Sequence, residues 1–254
     1  MIKYLLTHMT LWADKIKVNK KYQYNSWPLG QLPEEWQRPE PEQVKKMGFN
    51  WEDPRDLVDL FEKQIAEYSG SKYAVATDCA SNAIFLCLKY KQIKGPVQIP
   101  KQTYVSVPMQ LLHAGIDFQF IDENWTGIYE IKPTKIFDGA GRFTKGMYVG
   151  GEDALHVLSF QIKKRLPIGR GGAILTNSYE AYRWLKLSSY DGRDLTTPYN
   201  SNDHVQQLGW HFYMTPEDAA RGIILLSELG EDLPDTMDYG KYPDLSQMNV
   251  FKNL

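Results

Sequence analysis

From about residue 53 onward, short apolar runs alternate with longer stretches of helical period, and this alternation limits the possible folds more than any other feature. Asp53-Pro54 reads as an N-cap followed by proline at the first helical position. Leu57, Leu60, Phe61, Ile65 and Tyr68 then recur on one face until Gly70 closes the helix. Apolar runs at residues 73–77, 97–99, 118–121, 135–137, 156–160 and 172–176 read as strands. Further helices are expected at residues 81–90, in the stretch ending at Ala114-Gly115, at 179–190, and at 216–229, where Thr215 is the N-cap and Asp218 follows three residues on. Strands separated by helices imply an α/β fold with a mostly parallel sheet.

The flanks read differently. Residues 1–50 have little periodicity but hold Trp27, Trp36 and a run of prolines, which suits an extended arm packed on the domain or on a partner subunit. Residues 231–254 are polar with scattered prolines and read as an irregular tail, leaving 51–230 as the main domain.

Composition narrows the function. A net charge of −2 offers no electrostatic footprint for nucleic acid or an anionic membrane. Cys79 and Cys87 form neither a redox pair nor a metal pair, and the five histidines lack ligand spacing, so no metal is expected and a reducing compartment is. Residues 1–12 are too short and interrupted to span a membrane and lack a small-residue cleavage site. The expectation is a soluble, cytoplasmic protein. Seven tryptophans and sixteen tyrosines hint at a large interface or ligand surface.

The chemistry concentrates in Ser159-Phe160-Gln161-Ile162-Lys163-Lys164 and the Gly169-Arg170-Gly171-Gly172 turn that follows. A strand delivers lysines into a loop, and glycines then allow close backbone approach or a positive φ. A neutral lysine amine condenses with carbonyl compounds. Upstream, Ala76-Thr77-Asp78-Cys79-Ala80-Ser81-Asn82-Ala83 turns a strand into a helix whose N-terminus could hold an anion. Ser81 as a plain helix cap is an equal reading. Asp138 ends a strand, either as a loop cap or as a charge aimed at a ligand.

Together with Phe61–Val75 and Pro100-Lys101-Gln102-Thr103-Tyr104-Val105-Ser106, these segments resemble the DegT/DnrJ/EryC1/StrS family of pyridoxal-phosphate (PLP) sugar aminotransferases. The resemblance implies the large domain of an aspartate aminotransferase-like, fold type I, PLP-dependent transferase, with the C-terminal small domain largely missing. It makes Lys164 the covalent anchor, five residues after Ser159, with Lys163 as competitor. It also makes Asp138 the partner of the pyridine nitrogen and Tyr104 the ring that stacks on the cofactor. Ala80, Ser81 and Ser159 would hold the phosphate. Gly209-Trp210-His211-Phe212-Tyr213-Met214 is similar to a segment that reaches the neighbouring subunit's phosphate, with His211 in place of asparagine and Tyr213 in place of arginine. The resemblance further implies a homodimer, an amino-acid donor such as glutamate, and a keto sugar nucleotide as acceptor.

The chain departs from that pattern. Asp138 follows Asp122 by only 16 positions, where the family carries at least one further βα unit. Asp138-Gly139-Ala140-Gly141 replaces Asp-Ala-Ala-Gln/His, so the side chain expected near the cofactor's 3-hydroxyl is absent. A module that binds cofactor or assembles without turnover is therefore the rival reading. Gly141–Met147 echoes a phosphate-binding loop, but Met147 stands where the lysine must be. Arg142 and Lys145 could grip a substrate anion or be solvated loop charges.

Overall fold

The computed structural model describes residues 37–198 and 200–252. Most of the expected N-terminal arm, including Trp27 and Trp36, lies outside the described residues. The chain divides into Met1–Pro39 and a main unit, Glu40–Leu254, which carries every element below.

The main sheet has five strands: β1 (Tyr73–Thr77), β4 (Tyr129–Ile131), β5 (Ile136–Asp138), β6 (Leu155–Ser159) and β7 (Gly172–Thr176), in the spatial order β1-β7-β6-β5-β4. A separate parallel pair joins β2 (Val97–Pro100) to β3 (Phe118–Ile121). A single bridge from Gln98 to Lys132 ties this pair to the end of β4. Six helices surround these strands: α1 (Glu40–Lys46), α2 (Asp56–Ser69), α3 (Ala80–Lys91), α4 (Ser106–Ala114), α5 (Tyr179–Ser189) and α6 (Pro216–Ser227).

Period-two alternation sorts the sheet residues into two cores. Ala74, Ala76, Leu158, Ala173 and Leu175 face the cluster that α2 and α6 complete through Phe61, Ile65, Ala219 and Ile223. Val75, Leu155, Val157 and Ile174 face the cluster completed by Ile84 and Leu88 of α3 and by Leu185 of α5. The register pairs Val75 with Ile174 and Ile174 with Val157, so like faces meet across the three strands.

The expectation of a mostly parallel sheet is corrected. Within the main sheet only β5 and β6 are parallel; β7 is antiparallel to both β1 and β6, and β4 is antiparallel to β5. A parallel neighbour needs a crossover of about a dozen residues or more. Residues 132–135 are too few for that, and they turn β4 directly back into β5. This hairpin fills the stretch where the family pattern has a βα unit, and β4 was not foreseen.

Two boundaries also move. Asp53-Pro54 does not open α2; it forms a turn in which Asp53 accepts from the backbone and guanidinium of Arg55, and the helix begins at Asp56. The short helix α1 lies in the stretch expected to be an arm, and it is tied by Trp51 Nε1 donating to Pro41 O and by the ion pair between Glu40 and Arg221 of α6.

Residues 231–252 hold only two short 3-10 turns, Tyr239–Lys241 and Leu245–Gln247, yet they lie strapped across the domain. Arg142 pairs with Asp235 at 2.7 Å, Gly127 N donates to Met237 O, Thr236 N donates to Gly141 O, and Phe251 packs on Phe118 and Phe120. The tail is irregular but fully engaged.

Candidate active site

The site is a cavity of about 420 Å³ at the N-terminus of α3, inside the range that takes small ligands. Of the seven residues singled out by sequence, six line it: Lys164, Asp138, Tyr104, Ala80, Ser81 and Ser159.

One wall is the turn from β1 into α3. Cys79, the N-cap, has extended backbone and no side-chain capping bond, so the first turn of α3 presents its backbone to the cavity. Ser81 Oγ is not a simple cap; it donates to Ser106 Oγ at 2.7 Å, linking α3 to α4. Gly172 explains how β7 begins so close beneath this turn. A Cβ there would come within 2.5 Å of Ala80 N and 2.7 Å of the Cys79 carbonyl carbon. Arg170 reaches the same end, its guanidinium 2.9 Å from Asp78 Oδ2.

The lysine loop hangs between β6 and β7. Phe160 N donates to Gly171 O and Gly169 N to Phe160 O, closing the loop, with Gly169 and Gly171 at φ 125° and 147°. A turn bond from Lys164 N to Gln161 O throws the Lys164 side chain into the cavity. Among the described residues its amine has neither an ion pair nor a hydrogen bond. Burial pushes its ammonium below the usual lysine range, and the Asp138 carboxylate only partly offsets this. Lys163 lines the cavity too, its backbone N–H fixed by Gln161 Oε1.

Asp138 closes the far side at the end of β5. Burial pushes its carboxyl above the usual range, and Ala140 N–H, the Tyr129 hydroxyl and Lys164 oppose that shift. Oδ1 accepts from Ala140 N at 2.9 Å and Oδ2 from Tyr129 Oη at 2.8 Å.

His211 is not brought to this cavity. Its Nδ1 lies 2.8 Å from Asp191 Oδ2 on an exposed surface, and Tyr213 stacks on Tyr190. Arg142 and Lys145 also stay outside; they fasten residues 231–235 through Asp235 and Glu231.

Several residues escaped sequence reasoning: Thr103, Trp125, Met237 and Tyr242 in the cavity wall, and Tyr129 behind Asp138. Only Tyr129 carried a signal, the alternation Tyr129-Glu130-Ile131 before a proline turn, at the lower limit of strand length.

The residues suit a phosphorylated pyridine aldehyde. An amine held below its usual range, a buried carboxylate without a salt bridge and a helix N-terminus stand around one cavity. The fold is that of the PLP-dependent aminotransferases. The chain belongs to the DegT/DnrJ/EryC1/StrS aminotransferase family, whose profile matches residues 40–146 and 136–235, and pyridoxal phosphate is that family's cofactor. It is 26% identical over 239 residues to the spore coat polysaccharide biosynthesis protein SpsC of Bacillus subtilis, covering 75% of this chain and 61% of that protein. Among solved structures, it shares the fold of the sugar aminotransferase CalS13 from Micromonospora echinospora, with TM-score 0.60 and 16% identity over 74% of this chain and 64% of that one. The likeness to AtS13 from Actinomadura melliaura is similar, with TM-score 0.61, 19% identity, 74% of this chain and 63% of that chain. The chain thus spans less than two thirds of the length of these relatives. No helix among the described residues is long and apolar enough to cross a membrane.

Proposed function

We propose that the cavity binds pyridoxal 5′-phosphate and that the protein is an aminotransferase moving an amino group from an amino acid to a keto sugar. The observation that carries this reading is the placement of Lys164 and Asp138 on one cavity without an ion pair between them. An amine paired to a carboxylate would stay charged and inert; an amine depressed by burial is available as a nucleophile and as a base.

Each residue has a defined task. Lys164 Nζ would hold the cofactor's aldehyde carbon and, as a neutral amine, would accept and return the substrate's proton. Asp138 would accept from the cofactor's ring N–H and so favour the protonated ring nitrogen. When bound, the cofactor supplies the electron sink that makes the donor's Cα–H acidic. The first N–H groups of α3, with Ser81 and Ser159, would hold the phosphate, and Arg170 would add positive charge at that end. Tyr104, 57% exposed and lining the cavity, would cover the ring.

Glutamate as donor and a nucleotide-linked keto sugar as acceptor are the proposed substrates; likeness to a sugar aminotransferase and to a polysaccharide biosynthesis protein supports the sugar class of the acceptor. A homodimer fits a family pattern in which the 209–214 segment serves a neighbouring subunit; His211, paired with Asp191 on an exposed surface, would have to turn from that partner to take the role.

The test is purified protein incubated with PLP, reduced with borohydride and mapped by peptide mass. A phosphopyridoxyl group on Lys164, with amino transfer from glutamate to a keto sugar, is the expected result. Modification without any transfer across a panel of donors and acceptors would favour the binding-module reading. Absence of modification would overturn both.

A further inference from the structure

Tyr129 stands directly opposite Asp138 in the antiparallel register of β4 and β5, so the two side chains share a face. Its hydroxyl donates to Asp138 Oδ2 at 2.8 Å. That spends the phenol's proton, so Thr103, in hydrogen-bond contact with the same oxygen, must be the donor to it. Thr103, Tyr129 and Asp138 thus form a directed chain, all three buried, with the Tyr129 ring packed on Trp125 at 4.9 Å. Thr103 also immediately precedes Tyr104 in the loop at the cavity mouth.

We propose that Tyr129 is a positioning residue that keeps the Asp138 carboxylate ionised and aimed into the cavity, with Thr103 locking the phenol, and so sets the affinity and lower pH limit of cofactor binding. This rests on the reading of the cavity as the cofactor site.

The choice of a phenol is chemically specific. Burial favours the protonated acid, which could not accept from a ring N–H. A lysine or arginine at 129 would neutralise Asp138, and a histidine would titrate in the working range. Tyr129 donates without charge, and burial holds its own ionisation well above the usual phenol value. Lys164 cannot replace it, because a nucleophilic amine must be neutral. The groups facing Asp138 are Tyr129 from β4, Lys164 from the lysine loop, Tyr242 from the strap and the Ala140 backbone N–H. Of these, only Tyr129 and Ala140 hydrogen-bond it, each to a different oxygen, which leaves lone pairs for a ligand.

The decisive measurement uses protein without cofactor. The Asp138 carboxyl is followed by carbon-13 NMR across pH in wild type and Tyr129→Phe, with Asp138→Asn as the assignment control. Loss of a hydrogen bond to a charged group should raise the Asp138 midpoint by about one to two pH units. PLP titration by tryptophan fluorescence should then show binding weakened about tenfold or more at neutral pH, with the acid limb moved upward by the same shift. Tyr129→Phe should add nothing in the Asp138→Asn background. Should Tyr129→Phe not fold, Thr103→Val leaves the phenol in place but unanchored and is expected to move the midpoint in the same direction by less. An unchanged Asp138 midpoint in whichever variant folds would overturn the proposal. A moved midpoint in a protein that never binds PLP would support the role of Tyr129 and refute the cofactor reading.

Discussion

The two walls of the cavity are built by different means. The wall made by β1, α3, the lysine loop and β7 consists of regular elements whose residues match a family pattern in order and spacing. The opposite wall is a three-residue strand, a tight turn and an irregular strap; it supplies Trp125, Met237 and Tyr242 to the lining and Tyr129 behind Asp138. The first wall carries groups that would touch the cofactor's reactive atoms and phosphate; the second holds Asp138 and closes the space around it. A site can therefore keep its reactive groups on rigid scaffold while their support is rebuilt from turns and hydrogen bonds.

If that division is right, the largest effect falls on the first wall. Lys164→Ala should abolish borohydride-fixed PLP and lower amino transfer by roughly 10³-fold or more, while Lys163→Ala keeps the covalent mark. Mass mapping decides it; a mark that disappears with Lys163 instead would reassign the anchor.

Asp138→Asn tests the joint between the walls. PLP dissociation constants should rise about 10- to 100-fold, as for loss of a hydrogen bond to a charged group. Stability should move the other way. The folded state raises the Asp138 pKa, so the native protein holds that proton more tightly than the unfolded chain does. Stability therefore falls as pH climbs from the unfolded carboxylate value through the raised native one, and the asparagine variant should lack that fall. Urea denaturation at a series of pH values reads it.

Gly172→Ala should cost about 1–3 kcal/mol, because the added carbon meets backbone rather than a side chain that can swing away. Chemical denaturation of the cofactor-free protein gives the number, and a neutral result would mean the β7–α3 approach is looser than drawn. The smallest effect belongs to the strap. Arg142→Ala removes a half-buried pair and should cost about 1 kcal/mol or less. Its clearer sign should be faster proteolytic cutting near residues 235–242. Equal cutting in both proteins would show that Asp235 does not anchor the strap.

Legibility followed the same division. Long periodic segments such as residues 57–68 and runs such as 73–77 and 172–176 announced themselves, since burial of one or both faces leaves a pattern. Strand direction was misjudged because periodicity reports which residues are buried, not which way a neighbour runs; the short 132–135 link was the available clue. Lys164 was visible through its spacing after Ser159 in the loop that resembles the family, and Asp138 through its place at a strand end. Tyr129 was not, because its role depends on standing across from Asp138 in a hairpin that no local pattern demanded. Met237 and Tyr242 belong to chain without period, whose position is set by distant partners such as Arg142 and Gly141.

That last dependence bears on how the protein is made. A nascent chain can assemble β1, α3 and the lysine loop soon after Thr176 clears the ribosome, yet the cavity gains Met237 and Tyr242 only when much later residues emerge and close contacts over a long sequence separation. For that interval Lys164 would stand beside an unfinished pocket, so on the proposed reading cofactor capture waits for residue 242, and a ribosome stalled before it would display Lys164 without the wall that encloses it.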